Sequence, residues 1–226
     1  NEAVAAQADL ENGKTSVRFL KTPKMSTYLL FFGVCEFETL KDHQDERIIG
    51  AALPGRSAQL AFGVAFGRKA LHYCESFFNI PYPLTKMHLI AVPDFAFGAM
   101  ENWGAITFRE NLLLVYPGVT SKSGKARICE VIAHELAHVQ RFDYLVNLLQ
   151  VGAETVFFYH PAIWWVSRRI RRERELCCDD TAVALCGDLK YGRTVHSLIR
   201  LLGMFGILGR KRSTGLSTAA RKRRMT

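Results

Sequence analysis

Two histidines four positions apart, His134 and His138, with Glu135 directly after the first in "EVIAHELAHVQRFDYL", constrain this chain more than any other feature. On an α-helix, residues i and i+4 share a face, so both imidazoles can reach one metal ion and Glu135 can reach a water bound to it. The neighbours Val131, Ile132, Ala133, Leu136 and Ala137 are small or apolar, as a helix lying behind a buried site requires; a pair of surface histidines would sit among polar residues. The expectation is a buried helix holding one Zn2+ ion. Such an ion lowers the pKa of its water and polarises a carbonyl, while Glu135 takes the proton as general base and hands it to the leaving amine. Two histidines leave the ion short of a third protein ligand.

Elsewhere the pattern alternates between strand and helix. "SVRFLKT" and "TYLLFFGVCEFETL" are rich in β-branched and aromatic residues, which predicts β structure from about Val17 to Leu40. "SAQLAFGVAFGRKALHYCESFFNI" changes to helical spacing, with Leu60, Val64, Leu71, Cys74 and Phe78 on one side, and ends before Pro81 and Pro83. "KMHLIAVPD" predicts a strand and "AITFRENLLLVYP" a pair of strand pieces. From Ser123, read as an N-cap, the chain is helical, with a break at His160 before Pro161 opens another helix. Residues 144–166 are apolar, but Asn147, Gln150, Glu154 and His160 interrupt them, so a buried or half-buried helical hairpin is expected ahead of a membrane span. The apolar run at 197–209 is too short for a confident span. Trp164 and Trp165 beside Tyr159 read as core or interface anchors.

A chain of 226 residues, 49% hydrophobic, is long enough for one cored domain with appendages. Of the net charge of +9, seven positive charges lie in residues 210–226, which leaves +2 elsewhere. That distribution argues against nucleic acid as the partner of the chain as a whole, and the run reads as a solvated tail, with contact to a membrane surface or to nucleic acid as the sharper reading. The six cysteines are scattered, and Cys177 and Cys178 are adjacent, which fits reduced, buried thiols and not a disulfide framework. No basic region followed by an apolar core opens the chain, so no signal peptide is visible, and a cytoplasmic location, with membrane association as the variant, is expected.

"VPDFAFGAMENWGAITFREN" followed by "EVIAHELAH" resembles the aminopeptidase N family of zinc peptidases, whose signature places "GAMEN" ahead of the zinc helix. "FLKTPKMSTYLLFFGVCEFE" and "KALHYCESFFNIPYPLTKMHLIAVPDF" extend the resemblance to about residues 17–138. It implies that Gly98, Ala99, Met100, Glu101 and Asn102 form the substrate-binding strand. Glu101 would meet the free α-amine of a peptide, and the backbone of Gly98 and Ala99 its main chain. A fixed carboxylate is a natural counter-ion for an ammonium.

The resemblance stops after His138. That family has a ligand glutamate after eighteen further residues, and here the corresponding residue is Phe157, with Glu154 three positions early. The family's later tyrosine, which steadies the oxyanion, has no recognisable counterpart. Residues 133–193 instead resemble the membrane-associated antibiotic-sensor metallopeptidases, whose third ligand lies in a later helix in a motif of Glu, three residues, Asp. Here that motif is Glu175 and Asp179, one helical turn apart, so that resemblance implies Glu175 as the third metal ligand and Asp179 as a hydrogen-bond partner of a ligand histidine. Glu173 and Glu154 stay as alternatives, and the arginines around Glu173 and Glu175 also allow a solvated salt-bridge stripe.

The chain thus looks like a chimera, the front of an aminopeptidase joined to the back of a sensor peptidase within "AHELAH". The implied fold is α+β and zincin-like (thermolysin-type). A β-rich lead-in occupies residues 1–45, a zinc peptidase domain with a helical C-terminal half 46–209, and a basic tail 210–226. The expected function is zinc-dependent release of N-terminal residues from peptides with a free N-terminus. The alternatives are a membrane-associated zinc endopeptidase and a zinc-binding module without turnover.

Overall fold

The structure is a computed structural model that describes residues 2–10 and 13–186. It opens on an antiparallel hairpin of β1 (Val4–Asp9) and β2 (Thr15–Phe19), exposed along both strands. The strand expected over Val17–Leu40 is confined to the end of β2 and to β3 (Glu38–Lys41); between them Thr27–Leu29 forms a 3-10 turn. Pro23 and Gly33 break the run, and its apolar residues do not alternate across a sheet. Instead Leu29 plugs into the core, while Phe32 and Val34 face solvent.

A mixed five-stranded sheet follows. β3 pairs antiparallel with β4 (Ile48–Ala52), and the chain then crosses through α1 (Ala61–Phe78) to β5 (Met87–Val92), parallel to β4. β6 (Ala99–Met100) and β7 (Ala105–Arg109) complete the order β3-β4-β5-β7-β6, with β7 parallel to β5 and β6 antiparallel at the edge. The inner strands are buried almost throughout, as strands covered on both faces must be. Helix α1 lies so close to them that a Cβ on Gly67 would stand 2.7 Å from Leu89 Cδ1.

The second strand piece expected in "AITFRENLLLVYP" is absent. β7 already has a neighbour on each side, so a strand running straight on from it finds no place beside it. Glu110–Leu112 turn as 3-10, which delivers Leu113 and Leu114 to the core.

The helical half begins at α2 (Lys122–Gln140). Its cap is Ser121 and not Ser123: the Ser121 hydroxyl accepts the Gly124 N–H at 3.1 Å, while Ser123 lies inside the first turn. Ile128, Ile132, Leu136 and Val139 place α2 in one core cluster with Ile48, Leu89, Ile106 and Phe108. Phe142, at φ 54°, turns the chain into α3 (Asp143–Val156), and Pro161 opens α4 (Pro161–Cys186), as expected from the break at His160.

The α3–α4 hairpin forms, but its outer face is not buried: Leu149 is 74%, Phe158 67% and Trp165 70% exposed, since no other described element covers them. Trp164 is an anchor only in that its indole N–H donates to the Phe158 carbonyl at 2.9 Å and closes the turn. No helix among the described residues is long and apolar enough to cross a membrane. The run at 197–209 and the basic tail lie outside the described residues. The described chain is therefore α+β, β-rich in front and helical behind.

Candidate metal centre

Helix α2 aims both histidines at α4. The Nε2 atoms of His134 and His138 stand 3.1 Å apart, and Glu175 Oε2 lies 3.6 Å from each. Three ligands placed tetrahedrally about a zinc ion at about 2.0–2.2 Å stand roughly 3.3–3.6 Å from one another. The trio therefore has the spacing of a metal site with its donors already gathered, and the residues fit the ion.

The far side of each ring is also held. His134 Nδ1 lies 2.9 Å from Asp179 Oδ1, and His138 Nδ1 lies 2.8 Å from Asp143 Oδ2. Carboxylates in that position fix the ring orientation and tautomer so that Nε2 faces the ion. Asp179 thus stands where the Glu-three-Asp pattern implied, one turn beyond Glu175 on α4.

The same contacts set the charges. Burial works to lower the His134 pKa, but Asp179 and Glu175 outweigh it and raise it to about 9. Burial also opposes charge on His138, yet Asp143, Cys178 and Glu175 raise it to about 12. The two histidines, 3.6 Å away, hold Glu175 far below the usual carboxylate range. Protons thus occupy the positions that a divalent cation would take. Glu135 is buried, and desolvation lifts it to about 7, with the two histidines pulling the other way. A carboxyl poised near neutrality is suited to accept a proton and return it.

The GAMEN residues approach from the edge of the sheet. Gly98 precedes β6 and its carbonyl accepts the Arg109 N–H at 2.8 Å; Ala99 and Met100 pair with Phe108 and Thr107. Glu101 follows, and its charge reaches Glu135. Asn102 is buried and is taken up by the scaffold: its amide donates to the Leu29 carbonyl at 3.1 Å, and its oxygen accepts the Thr107 hydroxyl at 2.9 Å. Trp103 then packs edge-on against Phe142 and Tyr144, which ties this strand to the α2–α3 turn.

The other candidate ligands are engaged elsewhere. Glu154 pairs with Arg171 at 2.6 Å and Glu173 with Arg169 at 2.9 Å. The salt-bridge stripe on α4 is therefore present, and Glu175 belongs both to it, through Arg174 at 3.6 Å, and to the histidines.

Asp143 is the residue that sequence reasoning missed. Its signal was an acid five positions after the second histidine, hidden because Phe142 turns the chain and an unbroken helix would have carried it round to another face. Of the adjacent cysteines only Cys178 is buried, with its sulfur 3.4 Å from His138 Nδ1; Cys177 is exposed.

Comparison with known proteins finds two family matches that overlap over residues 109–147. Residues 62–147 match the model of the peptidase family M1 domain, and residues 109–223, just over half of the chain, match that of the BlaR1 peptidase M56. The probable aminopeptidase 1 of Saccharolobus solfataricus is 52% identical over 138 residues, which is 61% of this chain and 17% of that protein. The leucyl aminopeptidase of the same organism is 50% identical over 139 residues, 61% of this chain and 18% of its own length. Human endoplasmic reticulum aminopeptidase 2 is 44% identical over 142 residues, 62% of this chain and 15% of that one. The chain spans about a sixth of the length of these relatives. By the extent of its match the chain belongs to the BlaR1 peptidase M56 family, and in front it carries a segment similar to the peptidase family M1 domain.

Proposed function

We propose that this chain is a zinc aminopeptidase with a zincin-like centre, binding one Zn2+ ion through His134, His138 and Glu175. The observation that carries the reading is the gathered trio of donors, 3.1–3.6 Å apart, with Glu135 buried on the same helix. The aminopeptidase names of its relatives supply the reaction class. A bound zinc ion supplies Lewis-acid polarisation of the scissile carbonyl and makes water acidic enough to attack it. Glu135 would serve as the base that takes a proton from the attacking water and as the acid that passes it to the departing amine. Asp143 and Asp179 hold the ligand rings, and Glu101 binds the ammonium of a peptide with a free N-terminus. Gly98, Ala99 and Met100 offer the peptide a strand edge, while Asn102 holds that strand in place. The peptidase domain spans 46–209 behind the lead-in of 1–45, with residues 210–226 as a basic accessory tail. In this reading the join between the two family segments falls in α2, the helix both matches share.

A second reading is favoured by the exposed apolar outer face of the α3–α4 hairpin together with the M56 match: a zinc endopeptidase working at a membrane surface. One pair of substrates separates the two. An aminoacyl anilide with a free amine should be turned over by the zinc-loaded chain, its N-acetylated form should not, and Glu101→Ala should remove the difference. Equal cleavage of both forms by the parent chain would decide for the endopeptidase. Stoichiometric zinc with neither cleaved would leave a binding module.

A further inference from the structure

Attack on a peptide carbonyl places negative charge on its oxygen, and a donor fixed at that position is worth about 10²–10³-fold in rate. The helices that hold the histidines and Glu175 provide no tyrosine for this. Tyr144 already donates to the Lys24 carbonyl at 3.0 Å, and Tyr159 sits at the exposed hairpin turn.

The segment before the sheet provides one. It is tied across the site at two points, by the Tyr144 hydroxyl on Lys24 and by the Asn102 amide on the Leu29 carbonyl at 3.1 Å. Leu29 itself is buried in the core. Tyr28, held between these ties, is half-buried, and the charges of Glu101, Arg174, His138 and Asp143 all reach its hydroxyl. The segment thus runs from Tyr144, next to Asp143, to Asn102, next to Glu101, and this brings the phenol within electrostatic reach of the carboxylate that would bind the amine and of a ligand histidine. Burial first, and Glu101 second, raise its pKa above 10, so it remains a donor at neutral pH. Arg174 beside it is paired with Glu175 at 3.6 Å, and its buried Nε makes no hydrogen bond, which adds positive potential on the same side.

We propose that the Tyr28 hydroxyl donates the hydrogen bond that steadies the oxyanion at this centre, a catalytic role supplied from upstream of the sheet. The inference rests on the aminopeptidase reading above. No bond to Tyr28 forms or breaks in this role; the phenol keeps its proton and shares it with the carbonyl oxygen as charge develops there.

The test uses the full chain loaded with zinc and compares the parent with Tyr28→Phe. Zinc per chain and melting temperature are expected to be unchanged, kcat for an aminoacyl anilide to fall about 100-fold, and KM to stay within about threefold. Affinity for a phosphinic dipeptide analogue, which carries the tetrahedral oxygens, should fall in parallel, while affinity for a free amino acid should not. A merely structural Tyr28 would weaken both ligands together. Unchanged kcat and unchanged phosphinate affinity would overturn the proposal. If the parent itself shows no turnover, the aminopeptidase reading fails, and the phosphinate comparison still decides the role of Tyr28. If Tyr28→Phe does not fold, 3,5-difluorotyrosine at position 28 keeps both ring and donor. Its fluorines make the phenol a stronger acid, so kcat should fall as pH rises through that lowered pKa while the parent's profile stays flat there, and a pH profile identical to the parent's would also overturn the proposal.

Discussion

Asp143 and Asp179 do the same work on two histidines from two different helices, and they should fail differently. Asp143 is buried with His138 and Cys178, so Asp143→Ala leaves a ring nitrogen and a thiol facing an empty space. Zinc affinity, measured by competition with a chelator, should fall about 10–100-fold for Asp143→Ala and less for the half-exposed Asp179→Ala. Glu135→Gln should bind zinc like the parent and lose about 10²–10⁴ in turnover, because it removes a base and no ligand. Glu175→Ala should lose both metal and turnover, and equal zinc content in that variant would return the third-ligand question to the other acids. At this scale the i, i+4 spacing made one thing legible, that His134 and His138 share a face of α2, where their Nε2 atoms stand 3.1 Å apart. Less legible were Asp143, whose position depends on a left-handed residue that no composition rule announces, and the hydrogen bond of Asn102, which goes to a carbonyl 73 residues away.

The elements that carry the centre are α2 and α4, and their pairing makes the metal-free protein sensitive to pH. The folded pKa of His134 is about 9 and that of His138 about 12, both above an ordinary 6.5, so their ion pairs stabilise the fold fully below 6.5 and are lost as pH rises through those values. Glu175 is shifted the other way, so its contribution is present above its ordinary 4.5 and is lost as pH falls below it. The melting temperature of the metal-free chain should therefore fall between about pH 6.5 and 9. Zinc affinity should rise over the same window, as the ion no longer competes with the proton on His134. Circular dichroism melts with and without zinc across that range check both signs, and a metal-free melting temperature that climbs with pH would refute the assignment. Helices were legible from spacing and from Pro161, as α1, α2 and α4 show. Strands were less so: "TYLLFF" and "LLLVYP" have strand composition, but a strand also needs a free neighbour, and the β7 ladder was already full.

For the described residues, the sheet, α1 and the apolar face of α2 share one core, and the opposite side of α2 carries the histidines toward α4. Phe108 and Ile132 are fully buried in the same cluster, so Phe108→Ala should cost about 3–5 kcal/mol and Ile132→Ala about 2–5 kcal/mol in chemical denaturation. Gly67→Ala should cost about 1–3 kcal/mol by overpacking, because the added methyl group meets Leu89. If Gly67→Ala leaves stability unchanged, α1 and the sheet are less tightly apposed than these distances require.

Glu175, the proposed third ligand, lies on α4, and along the chain the whole of α3 and the turn into α4 separate it from the two histidines. An ion there acts as a cross-link: it closes the stretch of chain from His138 to Glu175 into a ring and restricts the unfolded chain as a disulfide would. A protease that cuts the exposed turn at Tyr159 would then leave two pieces that travel together while zinc is bound and separate more readily when a chelator removes it.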